Sequence, residues 1–165
     1  MTLREHDAGK PLEDLTYKVI GCAMRVHNKL GPGLKEAHYQ EALSHEFGAE
    51  DLSHEAERPR EIFVDGAPVG LLYADHVVEG QLVVEGKAVP HLMTNDEIAQ
   101  VITYLCALEL DVGLLINFGR NRLEYRRIFP PKDVSRWRER IRRYTWTPKD
   151  QLSVNLLFHP LTDNA

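Results

Sequence analysis

The chain has 165 residues, of which 43% are hydrophobic and 27% charged, which suits one folded domain with a sizeable core. No apolar run reaches the roughly 18 residues needed to cross a bilayer, and Met1 to Lys10 is too polar for a signal peptide, so a cytoplasmic protein is expected. The net charge of −5 excludes a generally basic nucleic-acid binder.

In chain order, residues 1–11 are expected to be a flexible leader. Leu15, Val19, Ala23, Val26 and Leu30 recur at helical spacing, and Gly31-Pro32-Gly33 ends that helix. The spacing of Tyr39, Leu43 and Phe47 predicts a second helix from Leu34 to Phe47. Glu36 lies three residues before Tyr39 and so shares its apolar face. That carboxylate reads either as a helix-start acid favoured by the macrodipole or as an acid aimed into a site. Ala49 to Arg58 is polar and is expected to be a loop. Three strands follow, Arg60–Val64, Val69–Val78 and Leu82–Val89, with turns at Asp65-Gly66 and Glu79-Gly80-Gln81. Thr94-Asn95-Asp96-Glu97 opens a helix that runs to about Leu110. Val112–Phe118 reads as a buried strand and Leu123–Phe129 as another. Cys22 and Cys106 fall in helices, with a spacing that suits core packing in a reducing compartment.

The predicted domain spans 12–129, and 130–165 form a basic helical extension and tail. Residues 120–149 carry eleven Lys or Arg against three acids. Arg136, Arg138, Arg140, Arg142 and Arg143 are therefore candidate nucleic-acid contacts, or else one solvated helix face.

Charges within two of the apolar strands are the strongest functional signal. Asp75 sits in the second strand, and Glu85 and Lys87 in the third. Buried charges need a partner or a metal. Glu85 and Lys87 are two apart and point to one face. A two-residue turn at Glu79-Gly80 would pair Asp75 with Val84, whereas a three-residue loop including Gln81 pairs it with Glu85. Paired carboxylates form a hard-oxygen site for Mg2+ or Mn2+, to which the Gly86 carbonyl could add an oxygen and Lys87 a charge that holds water. The plainer alternative is an ion pair at a sheet edge.

The order helix, three-strand meander, helix, strand resembles the PD-(D/E)XK nuclease superfamily. Within it the chain is similar to the GxxExxY family, through Gly33-Leu34-Lys35-Glu36-Ala37-His38-Tyr39. Val26-His27, Gly31-Pro32-Gly33, Ala74-Asp75, Glu85-Gly86-Lys87, Gln100 with Tyr104-Leu105, and Gly113 to Gly119 continue the likeness in order. The resemblance implies a restriction-endonuclease-like α/β fold with an αβββαβ core and a mixed sheet flanked by helices. It implies a metal-dependent nuclease that hydrolyses phosphodiester bonds, with nucleic acid as partner, DNA ahead of RNA. Residues 130–165 lie beyond the likeness and are a candidate oligomer contact, so a homo-oligomer is a separate expectation. Asp75 and Glu85 would be metal-binding acids, Lys87 the catalytic lysine, and Glu36 a helix-borne acid near the metal. Gln100 and Tyr104 match an element beside the active site in RecB-like members, and His27 is a further candidate ligand. Ala74 replaces the usual Pro, and Gly86 the usual apolar residue. A catalytically silent nuclease-fold binding or assembly protein is the alternative.

Overall fold

The computed structural model describes residues 12–65 and 67–130, and the backbone of 158–159. The leader and the basic helix expected near Arg136, Arg138, Arg140, Arg142 and Arg143 lie outside the described residues.

Helix α1 (Glu13–Leu30) buries Val19, Cys22, Ala23 and Val26, as the apolar spacing requires. Its end is turned by Gly31, whose N–H donates to the His27 carbonyl at 2.8 Å. The hydroxyl of Tyr39 ties the following turn together, donating to the Gly31 carbonyl at 2.6 Å and accepting from the Leu34 N–H at 3.2 Å. That clamp sets the entry of helix α2 (Glu36–Ala49), which begins at Glu36. The Tyr39 ring stacks on Phe118 at 4.7 Å and anchors α2 to the sheet.

Strands β1 (His54–Val64), β2 (Ala67–Val78) and β3 (Leu82–Lys87) form an antiparallel meander. Helix α3 (Asn95–Leu108) crosses over to β4 (Val112–Asn117), which runs parallel to β3, and β5 (Glu124–Ile128) closes the order β1-β2-β3-β4-β5. A two-residue strand, β6 (Phe158–His159), pairs with β2 at Leu71 and Leu72. The fold is therefore an α/β mixed sheet of restriction-endonuclease type. One core lies between the sheet and α1 and α2, around Val19, Leu43, Phe47, Val84 and Leu114. A second lies under α3, around Val83, Val101, Leu105 and Leu115. Thr94 and Glu97 cap α3 reciprocally. Among the described residues, no helix is long and apolar enough to cross a membrane.

One expectation fails. Residues 54–58 are strand, not loop, because β1 is the edge partner of the full length of β2, with His54 opposite Val78. An edge strand has one neighbour and needs little apolar alternation, so its polar residues hid it.

Candidate active site

The loop between β2 and β3 has three residues. Val78 pairs with Leu82, and Glu79 and Gly80 both take positive φ (54° and 64°). The register places Asp75 opposite Glu85, one step past the last regular pair, His76 with Val84. There the strands part. The ladder bonds are replaced by side chains: the Asp75 N–H donates to Glu85 Oε2 at 3.3 Å, and the Gly86 N–H donates to Asp75 Oδ2 at 3.0 Å. The pairing of β1 with β2 also skips Asp75, since Glu57 opposite it has φ +52°. Two carboxylates thus occupy a fork in the sheet. Gly86 lines the fork: a Cβ there would sit in ordinary contact with Phe118 at 3.7 Å and Asp75 Oδ2 at 3.9 Å.

The electrostatics follow from burial. Glu85 is 3% exposed, and its carboxyl is held well above the usual range by desolvation and then by the Asp75 charge, with Lys87 opposing. Burial also raises Asp75, against the Gly86 N–H and the Lys87 charge. Lys87 Nζ stands 3.8 Å from Glu85 Oε1 and 3.8 Å from Glu36 Oε1. Both distances are ion pairs too long for a hydrogen bond. Lys87 thus stands between Glu36 and Glu85, and the Glu36 charge also adds to the rise of both acids.

Tyr104 is fully buried, and its hydroxyl accepts from Gln100 Nε2 at 2.7 Å. Burial, then the nearby Glu85 charge, pushes its proton loss far above the ordinary tyrosine range, so it stays neutral. Gln100 and Tyr104 therefore approach the acids from α3, as Glu36 does from α2. His27 is engaged elsewhere: its Nε2 bonds the Arg120 carbonyl at 2.8 Å, which accounts for a buried imidazole without a metal.

Sequence reasoning missed Gln40, whose side chain lies near enough to Asp75 to oppose the rise of its carboxyl. The usable signal was its place one helical turn after Glu36. It also missed Asn117, fully buried beside Lys87 in the parallel ladder. Its Oδ1 accepts from the Val89 and Gly119 N–H groups, and its Nδ2 donates to His91 O and Glu124 Oε2. That network fixes the backbone leaving Lys87.

Among the described residues, no group of three or more His, Cys, Asp or Glu is gathered tightly enough to hold a metal on side chains alone. Asp75 and Glu85 still fit a hard divalent cation. One is buried and the other half-buried, with one lysine to offset both, and Mg2+ commonly takes only one or two protein carboxylates and keeps its waters.

His76, next to Asp75, packs edge-on against Phe47 at 5.3 Å, with Nε2 at 2.9 Å from Ser44 Oγ. Burial, then the His54 ring, lowers its pKa from 6.5 to about 4. The unfolded chain thus binds more protons between those values. Stability should fall as pH drops through 6.5 toward 4, by at most about 3 kcal/mol. In His76→Phe that slope should be shallower, as urea midpoints across pH 4–7 will show. The contributions of Asp75 and Glu85 are common to both proteins and cancel in the difference.

A family model described as the PD-(D/E)XK nuclease superfamily matches residues 13–128. No curated protein matches the chain. Among solved structures, that of SSO0001 is similar at a TM-score of 0.46 and 20% identity, over 86% of this chain and 80% of that one. The family match covers both helices before the meander, the carboxylate fork and the β3-α3-β4 crossover, and on it the chain belongs to the PD-(D/E)XK nuclease superfamily.

Proposed function

We propose that the protein is a nuclease of the GxxExxY type that hydrolyses phosphodiester bonds of nucleic acid, DNA first, with Mg2+ or Mn2+. The observation that carries this reading is the fork itself: Asp75 and Glu85 face each other across parted strands, with Lys87 3.8 Å from Glu85. The clamp of Tyr39 on the Gly31 turn supports the finer family reading, because it gives both ends of Gly-x-x-Glu-x-x-Tyr a task. The glycine turn and the tyrosine aim the helix that begins with Glu36.

Asp75 and Glu85 would hold the metal, with the Gly86 carbonyl as a further oxygen. When bound, the metal polarises the phosphate and lowers the pKa of a water. Lys87 is only 16% exposed at its side chain, and neither of its partners is within hydrogen-bond distance. Its ammonium protons are therefore available to hold a water and to offset charge developing on the phosphoryl oxygens. Glu36, at the half-exposed mouth, keeps that ammonium oriented. Neutral Tyr104 stands on the α3 side of Glu85, with Gln100 fixing its hydroxyl. Arg136, Arg138, Arg140, Arg142 and Arg143 would supply phosphate contacts in the extension.

The test is incubation of purified protein with single- and double-stranded DNA and RNA. Cleavage should require Mg2+ or Mn2+, stop with EDTA and be lost in Asp75→Asn. Binding without cleavage under every metal condition would favour the silent nuclease-fold protein instead, and cleavage that persists in Asp75→Asn would refute the assignment of this site.

A further inference from the structure

The hairpin that joins β4 to β5 carries Arg120 and Arg122 in its turn and Arg126 in its second strand, against one acid, Glu124. On α1 an arginine is treated differently: Arg25 is neutralised by two acids, Glu46 at 2.7 Å and Glu50 at 2.8 Å. In the hairpin the balance is reversed. Glu124 stands 4.0 Å from Arg120 and 3.8 Å from Arg126, too far to hydrogen-bond either guanidinium. Its oxygens are taken instead by the Met93 N–H, at 3.1 and 3.2 Å, and by Asn117 Nδ2 at 3.3 Å. Arg122 is exposed and has no acid paired with it among the described residues.

The hairpin is also fixed beside the fork. Asn117 lies opposite Lys87, and the Phe118 N–H donates to the Lys87 carbonyl at 2.8 Å. Gly119 packs so closely on the chain leaving Lys87 that a Cβ there would lie 2.4 Å from the Val89 backbone, so only glycine fits. The Arg120 carbonyl accepts from His27 at 2.8 Å, which gives that buried imidazole a task. Arg120 follows Asn117 by three residues and so lies within about 10 Å of it. Asn117 is one strand spacing, about 4.8 Å, from Lys87.

We propose that the β4–β5 hairpin is a preformed phosphate clamp, in which Arg120 and Arg122 bind the nucleic-acid backbone a few nucleotides from the bond at the fork. A strand of nucleic acid presents a phosphate every ~3.4 Å of rise, so one engaged at the fork brings several within reach. Guanidiniums whose donors no carboxylate occupies suit planar contacts to phosphate. Glu124 orients Arg120 without saturating it, and the clamped backbone leaves little to be ordered on binding. The proposal rests on the nuclease reading above and says where the backbone of its substrate runs.

The experiment is fluorescence anisotropy of labelled short DNA and RNA, double- and single-stranded, with the full chain in Ca2+ and in EDTA over a series of salt concentrations. Arg122→Gln should make the plot of log Kd against log salt shallower by about 0.9, the loss of one phosphate contact, and Arg120→Gln by a similar amount. Arg120→Lys should keep the slope, because counterion release follows charge. Arg122 has no partner in the hairpin, so its substitution leaves the fold intact, as thermal melts will show. Lys18→Gln is the control: it removes one exposed charge from α1, about 14 Å along the helix from His27, and should leave the slope unchanged. An unchanged slope in either arginine-to-glutamine variant overturns the proposal, and so does an equal change in Lys18→Gln, which would mean a diffuse effect of net charge. If the wild type binds none of the probes at any salt, the nucleic-acid reading fails and takes this one with it.

Discussion

Glu85→Gln is expected to make the metal-free protein more stable while abolishing its response to Mg2+ or Mn2+. Glu85 is 3% exposed, and burial followed by the Asp75 charge raises its carboxyl well above the usual value of 4.5. A raised folded-state pKa means that the native protein binds the extra proton. Stability is therefore full below the unfolded value near 4.5 and is lost as pH rises above it. Glutamine preserves the shape, and its carbonyl still accepts the Asp75 N–H, but it removes the charge. The gain at pH 8 should be on the order of 2 kcal/mol, within the range seen when buried ionic groups become neutral. Thermal melts with EDTA and with Mn2+ supply the check. Wild type should gain stability with Mn2+, more at pH 8 than at pH 5, and Glu85→Gln should gain none. A variant less stable than wild type in EDTA at pH 8 would show that the fork is satisfied by its own hydrogen bonds and has no use for a cation.

Lys87→Ala should lower single-turnover cleavage by about 10²–10³-fold, the scale of losing one group placed against developing charge. It should leave Mn2+ binding in place, because Lys87 competes with a cation for the same two acids rather than holding it. Without metal the sign reverses. Lys87 is the cation that opposes the raised pKa of both Asp75 and Glu85, so the variant should lose stability at neutral pH and much less at pH 5. Lys87→Arg should not restore the rate, since a planar guanidinium cannot replace a compact ammonium between Glu36 and Glu85. Full activity in Lys87→Ala would remove the lysine from the mechanism.

Local chemistry made much of the fold legible. Gly31-Pro32-Gly33 had to end one helix, and Thr94 with Glu97 had to begin another. The apolar run at 112–116 had to be a strand covered on both faces, and burial throughout β4 agrees. The start of β1 was illegible because His54 to Arg58 gain strand structure from β2 and not from their own pattern. The likeness in residue order across 15–128 pointed to the superfamily that the family match then showed.

For the site, the residues by themselves determined that Asp75, Glu85 and Lys87 could not be ordinary core and that their meeting hung on one turn. Side-chain direction alternates with every strand residue, so a loop of two or of three residues decides whether the carboxylates share a face. The sequence allowed both. Only the tertiary structure decided for three, parted the strands at Asp75, and replaced ladder bonds with carboxylates. It alone gave His27 the Arg120 carbonyl as its partner. The reason is the same in each case. A residue's own neighbours set its local conformation, but the partner of a buried polar group comes from another element, here across 93 positions for His27, and only packing chooses it.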